Sequence, residues 1–259
     1  MNPLIRRLLV LGALLLKGVL FALVLTVSRG EHSQLSVKEL LVEIADSSRM
    51  KFVSVEDVRE YLRDSVIYLG RTADSIDLTR IEDILDHRSA IRKSEAWITS
   101  DGALHLRITQ REPVVRFQKD GTGFYADSEG FLFPLSDYSA KVPVVDGAIP
   151  LHTEAGFKGE PGSEAERLWL RRMLDLANYI SDSRIWSESI AQITVQPDGD
   201  LILVPRTGRE RFLFGPPQQI REKFDKMRDY YEYIAPSKEE GYYRTVNVKY
   251  QGQIVCRQK

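Results

Sequence analysis

Apolar residues follow three patterns in turn along this chain: an unbroken run, then helical stripes, then alternation with polar residues. The unbroken run is LLVLGALLLKGVLFALVLTV, residues 8–27, close to the ~20 residues a helix needs to cross a bilayer. Lys17 in its middle costs about 3 kcal/mol on insertion scales, but each Leu, Val or Phe offsets about 0.3 to 0.6 kcal/mol, so the sum predicts a single N-terminal transmembrane helix. Arg6 and Arg7 precede the run, which makes residues 1–7 a cytoplasmic tail. The competing reading is a cleaved signal peptide ending near Ser28 and Gly30, yet the run exceeds the roughly 7 to 15 apolar residues of a usual signal core. No second run of this length follows, so the remainder is expected on the far side of one membrane.

Beyond the run, LSVKELLVEI (residues 35–44) reads as a strand, though its spacing would also permit a short helix. Ser54 with Asp57 resembles a capping box ahead of a helix on which Val55, Val58, Tyr61 and Leu62 share one face. A second stripe, Leu78, Ile81, Ile84 and Leu85, predicts another short helix. Two alternating stretches, SEAWITS and ALHLRIT, flank Asp101 and Gly102 and predict a hairpin, with Trp97 a candidate buried ring on its first strand. Strand, helix, helix, strand, strand over residues 35–111 describes a small α+β module with two helices on one face of a three-stranded sheet.

Residues 112–259 read as a mainly antiparallel β domain with two flanking helices. Short strands, PVVRFQ, GFYAD, FLFPL and VPVVDG, are separated by turns containing Gly. Ser163 with Glu166 opens a helix carrying Leu168, Trp169, Met173, Leu176 and Ile180. IAQITVQ and DLILVP meet at Asp198-Gly199, and RFLF follows. Pro216 and Pro217 are expected in the first turn of a second helix, along which Ile220, Phe224, Met227, Tyr231 and Ile234 recur. The chain closes on YYRTVNVKYQGQIVCRQK, where Val246, Val248, Tyr250, Ile254 and Cys256 share one parity, the period of a half-buried strand. A terminal strand over about residues 250–257 is expected at a sheet edge, with QGQ either a turn between strands or a bulge within one. Edges present unpaired backbone groups and must be blunted, covered or paired.

Composition narrows the function. A net charge of -1 is too small to neutralise phosphates broadly. The single Cys256 excludes an intrachain disulfide framework and a Cys-rich zinc site. His32, His87, His105 and His152 are scattered, with no pair at ligand spacing. Asp198 and Asp200 fit a solvated hairpin tip better than a carboxylate pair, and Cys256 has no neighbouring His to make it a nucleophile. Tyr230, Tyr231, Tyr233, Tyr242 and Tyr243 fit core or interface packing better than sugar or base stacking. No metal, cofactor or catalytic residue is expected.

The order of elements and several motifs together resemble one family. A short tail, one span, a module ending in RITQREPVVRF, then YADSEGFLFPLSDY, VPVVDG and RTVNVKYQGQIVCR are similar to the FtsQ/DivIB cell-division proteins. The most specific stretches are Gln110 to Val114 at the domain junction and Gly130 to Pro134 after YADSE. The resemblance implies a POTRA domain (polypeptide-transport association) followed by the β domain, in an inner-membrane protein at the division septum. It implies a non-enzymatic scaffold that recruits the coiled-coil proteins FtsB and FtsL and so regulates septal peptidoglycan synthesis. The partner would add as a strand along Lys249, Tyr250, Gly252, Gln253, Ile254, Val255, Cys256 and Arg257. The alternatives are a POTRA-bearing translocation or secretion component, although neither a membrane barrel nor repeated modules appear in the sequence, and a membrane-anchored cell-wall hydrolase, which would need a cleft with paired carboxylates or a metal triad.

Overall fold

The computed structural model describes Lys17 and residues 35–258 apart from 120, 155 and 240. The expected span at residues 8–27 therefore lies, but for Lys17, outside the described residues. Among these, no helix is long and apolar enough to cross a membrane. The chain forms two compact units, Met1–Gln110 and Arg111–Lys259.

The first unit contains β1 (Glu39–Ile44), α1 (Val55–Arg63), α2 (Leu78–Asp86), β2 (Ile91–Ile98) and β3 (Ala103–Gln110). Its sheet runs β1-β3-β2, with β1 parallel and β2 antiparallel to β3. The Ser54 hydroxyl accepts from the Asp57 N–H while the Asp57 carboxylate accepts from the Ser54 N–H, the reciprocal cap that starts α1. Asp77 caps α2 one way only, its carboxylate accepting from the Arg80 N–H at 3.0 Å. Val58, Leu62, Ile81 and Leu85 are fully buried, as are Leu104, Leu106 and Ile108 on the central strand. Each such side chain contributes about 1.5–3 kcal/mol. Trp97 is half-buried: it lies on the other parity of its strand and stacks on His105 at 5.1 Å. Gln110 closes the unit. Its Oε1 accepts from the Val53 N–H at 2.8 Å and its amide donates to Asp46 and to the Met50 carbonyl, so this buried residue fastens the end of β3 to the loop before α1.

The second unit holds β4 (Pro113–Lys119), β5 (Thr122–Asp127), β6 (Leu132–Pro134), β7 (Val144–Gly147), α3 (Glu164–Asp182), the single turn α4 (Trp186–Ser189), β8 (Ile190–Val195), β9 (Leu201–Pro205), β10 (Arg211–Gly215), α5 (Ile220–Asp229), β11 (Thr245–Asn247) and β12 (Val255–Arg257). They form one nine-stranded sheet in the order β12-β11-β10-β9-β8-β7-β4-β5-β6. The sheet is mixed where mostly antiparallel pairing was expected: β4 with β7, β7 with β8 and β10 with β11 are parallel. Parallel neighbours need a crossover, and α3 supplies one between β7 and β8, as α5 does between β10 and β11. The face beneath these helices is the core. Phe224 of α5 sits 4.9 Å from Tyr179, 5.0 Å from Trp186 and 5.4 Å from Phe214, locking both long helices to β10.

Three helical expectations are corrected. Leu168 is 42% exposed, and the inward positions of α3 are Leu170, Met173, Leu174, Leu176, Ala177 and Ile180. Pro216 and Pro217 precede α5 instead of opening it, because Gln219 is left-handed at the cap (φ 52°) and delays the first turn to Ile220. Past Asp229 the helix widens into a π turn, Tyr230–Ile234. That shift buries Tyr230 and leaves Tyr231, the expected core residue, 37% exposed with its hydroxyl donating to Glu210 at 2.7 Å.

The two most specific sequence stretches meet in this unit. Arg111 of QREPV donates to Asp127 of YADSE at 2.7 Å and lies over the Phe131 ring at 3.5 Å. The other oxygen of Asp127 accepts from the backbone N–H groups of Glu129 and Phe131, so one carboxylate shapes the turn and receives the first residue of the unit.

Candidate functional site: the β12 edge

β12 ends the nine-stranded sheet and pairs only with β11, Thr245 opposite Arg257 and Asn247 opposite Val255. The expected terminal strand is thus shorter than residues 250–257. Alternation holds through Val246 and Val248, both fully buried, and then breaks. Tyr250 is 51% exposed, and Gly252 has a φ of +67°, a left-handed value that turns the chain. QGQ belongs to the connection between two strands. Of the expected site residues, Val255, Cys256 and Arg257 lie in β12, while Lys249, Tyr250, Gly252, Gln253 and Ile254 lie in that connection. Val255 and Arg257 are exposed, whereas Ile254 and Cys256 pack partly against the core. Burial pushes the Cys256 thiol pKa up, which suits a packing residue and not a nucleophile.

The Arg257 carbonyl accepts from the Arg244 N–H at 2.9 Å and so points toward β11. Backbone groups alternate sides along a strand, so the N–H and C=O of Cys256 point the other way, off the sheet. Among the described residues, no side chain hydrogen-bonds the backbone of β12.

The connection is held from behind by residues the sequence analysis passed over. Lys226 of α5 is buried, and its ammonium donates to the Tyr250 carbonyl at 2.6 Å and the Val248 carbonyl at 3.3 Å while pairing with Glu222 at 3.0 Å. Lys249 reaches Asp200 at 2.5 Å, and that bond raises its pKa. Asp200 is therefore an ion-pair partner of the connection, beyond the solvated tip expected of it. The stem of Lys249 crosses Gly215, where a Cβ would stand 2.7 Å from its Cγ; glycine there also takes a φ of +75° at the β10 bulge. Lys223, one turn back on α5, donates to the Pro216 carbonyl at 2.7 Å and lies 4.7 Å from the Phe214 ring. Its signal was in the sequence, since 220, 223, 224 and 227 form one helical stripe, but a lysine in that stripe reads as polar.

An open cleft of about 440 Å³ lies beside the connection, lined by Asp200, Leu213, Gly215, Asn247, Lys249 and Tyr250 among others. Among the described residues, no group of three or more His, Cys, Asp or Glu is placed to hold a metal. What the site offers is backbone hydrogen bonding along an edge, with apolar Val255 and cationic Arg257 beside it.

The two units match known families separately. Residues 36–109 match a POTRA-like domain, and residues 112–257 match the family described as FtsQ/DivIB, C-terminal related. No curated protein matches the chain. With more than half of its length inside the second match and a POTRA-like unit ahead of it, the chain belongs to the FtsQ/DivIB family.

Proposed function

We propose that this protein is a membrane-anchored scaffold of the division machinery that captures an extended partner segment by adding it as a further strand on β12. Family membership supports the coarser part, a role in cell division in a family that is generally non-enzymatic. The observation that carries the finer part is the state of the sheet ends. Among the described residues, β6 at the other end of the same sheet exchanges backbone bonds with Gly159, and on β2 of the first unit the Ser94 and Ala96 N–H groups are taken by α2 carboxylates, whereas β12, like β1 of the first sheet, has no such partner along its outer side. Strand addition draws affinity from main-chain hydrogen bonds and selectivity from flanking side chains. The Cys256 N–H and C=O supply the first, and Val255, Arg257 and Tyr250 the second. The partners are FtsB-like and FtsL-like single-span coiled-coil proteins. Residues 8–27 anchor the chain in the cell inner membrane at the septum, with residues 1–7 in the cytoplasm and residues 35–111 and 112–259 outside.

Co-purification of the full chain from membranes tests this. Cys256→Pro deletes the outward donor while sparing the inward bonds to β11, and one hydrogen bond plus the steric block should cut partner recovery about tenfold. Recovery at the wild-type level from a variant with an unchanged melting curve would sink the strand-addition reading.

A further inference from the structure

After α1 the chain passes through VIYLG, residues 66–70, before the 3-10 turn Ala73–Ser75. Two apolar side chains of this loop stand in water: Ile67 is 72% exposed, the most of any large hydrophobic among the described residues, and Leu69 is 56% exposed. Tyr68 between them is half-buried. The loop is not slack. Its Gly70 N–H donates to the Val37 carbonyl at 2.8 Å, the Val37 N–H donates to the Arg71 carbonyl at 2.9 Å, and the Ala73 N–H donates to the Leu35 carbonyl at 2.8 Å. Backbone bonds therefore hold it against residues 35–37, the first described residues after the apolar run.

Between that run and Leu35 lie residues 28–34, so eight Cα steps separate residue 27 from Leu35, at most about 29 Å at ~3.6 Å per residue. The linker thus holds Leu35 within that distance of the run, and the backbone bonds to residues 35–37 hold the loop that carries the exposed Ile67 and Leu69 next to it. Exposed Lys38, Arg63 and Arg71 are interleaved with Glu39, Asp64 and Asp74, so charge gives the loop no strong pull toward anionic lipid. Its apolar tips supply the attraction, with a tyrosine suited to the headgroup level.

We propose that Ile67, Tyr68 and Leu69 seat in the interfacial layer of the lipid bilayer and fix how the first unit stands on the membrane. This rests on the anchor at residues 8–27 proposed above. The test uses the full chain with Cys256→Ser and a single new cysteine, Ile67→Cys or Leu69→Cys, carrying an environment-sensitive fluorophore. The protein is reconstituted into zwitterionic phosphatidylcholine vesicles containing brominated lipid. Glu56→Cys, whose native side chain is 80% exposed near the start of α1, is the reference. Labels at 67 and 69 should be quenched several-fold more than the label at 56 and shifted to the blue. Equal, water-like signals at all three positions in protein that survives an alkaline wash of the vesicles would overturn the docking with the anchor intact, and would assign the loop to a protein partner. Protein removed by the wash would overturn the anchor and the docking with it.

Discussion

β2 and β12 are both end strands, and they treat their outward backbone in opposite ways. On β2, the Ser94 N–H donates to Asp86 at 2.7 Å and the Ala96 N–H to Glu82 at 2.7 Å, so two carboxylates of α2 stand where a neighbouring strand would be. β6, at the far end of the nine-stranded sheet, is closed by a loop: Leu132 and Gly159 exchange backbone bonds at 2.8 and 2.9 Å, and Pro134 ends the strand without a donor. Among the described residues, β12 has neither device. It is only three residues long, which limits accidental pairing with copies of itself, yet its outward groups stay available. Within the nine-stranded sheet one end is plugged and the other is open, and among the described residues β1 of the first sheet is likewise open along its outer side.

The strongest way to break this comparison is to unplug β2. Asp86 receives both the N–H and the hydroxyl of Ser94, which is 2% exposed, so water has little access to replace it. Asp86→Ala should cost the first unit about 1–3 kcal/mol. Urea unfolding followed through Trp97, the only tryptophan of that unit, measures it. Adding Glu82→Ala should make β2 resemble β12 and raise concentration-dependent self-association, seen by sedimentation. If the double variant is as stable and as monodisperse as wild type, the carboxylates are not plugs.

A smaller effect is expected behind the open edge. Lys226→Met leaves the Val248 and Tyr250 carbonyls without their buried cationic donor, at a cost of about 1–3 kcal/mol. Partner capture should weaken with it, because those carbonyls set the path from β11 into β12. Unchanged capture by a destabilised variant would show that the connection reorganises without disturbing the edge.

How much of this could be read in the sequence depends on what kind of force places each element. The capping boxes at Ser54 and Ser163 and the helical stripes were legible because they are local. So was the β content of residues 113–127, where short apolar stretches are separated by a turn containing Gly. The order of the nine strands, with three parallel pairings, was not legible, since register across a crossover leaves no period in the chain. The terminal strand was expected to begin near residue 250, five residues before β12, because Val246, Val248 and Tyr250 continue one parity while Gly252 turns the backbone. The plugs on β2 were invisible for another reason: Glu82 and Asp86 look like ordinary solvent-facing residues of α2 until the strand is placed beside them. Of the expected site, Val255 to Arg257 form the edge itself, and Lys226, which supports it, gave no signal distinguishable from a surface lysine.

Lys223 provides the finest test of how α5 supports this end of the sheet. Desolvation lowers its pKa from 10.5 to about 8, the nearby Asp200 only partly opposing that effect. A cation whose folded pKa lies below its unfolded value is a cost to folding, present in full below about pH 8 and gone above about 10.5. Lys223→Met keeps an unbranched chain over Phe214 and removes the charge, at the loss of the donor to Pro216. The variant should therefore gain stability relative to wild type at pH 7, and that gain should shrink steadily as pH rises from 8 to 10. Melting both proteins across this range, followed through Trp169 and Trp186 of the second unit, reads the difference. A gap that stays constant with pH would mean that Lys223 titrates as it does in the unfolded chain, and that its bond to Pro216 and the Phe214 ring outweighs its burial.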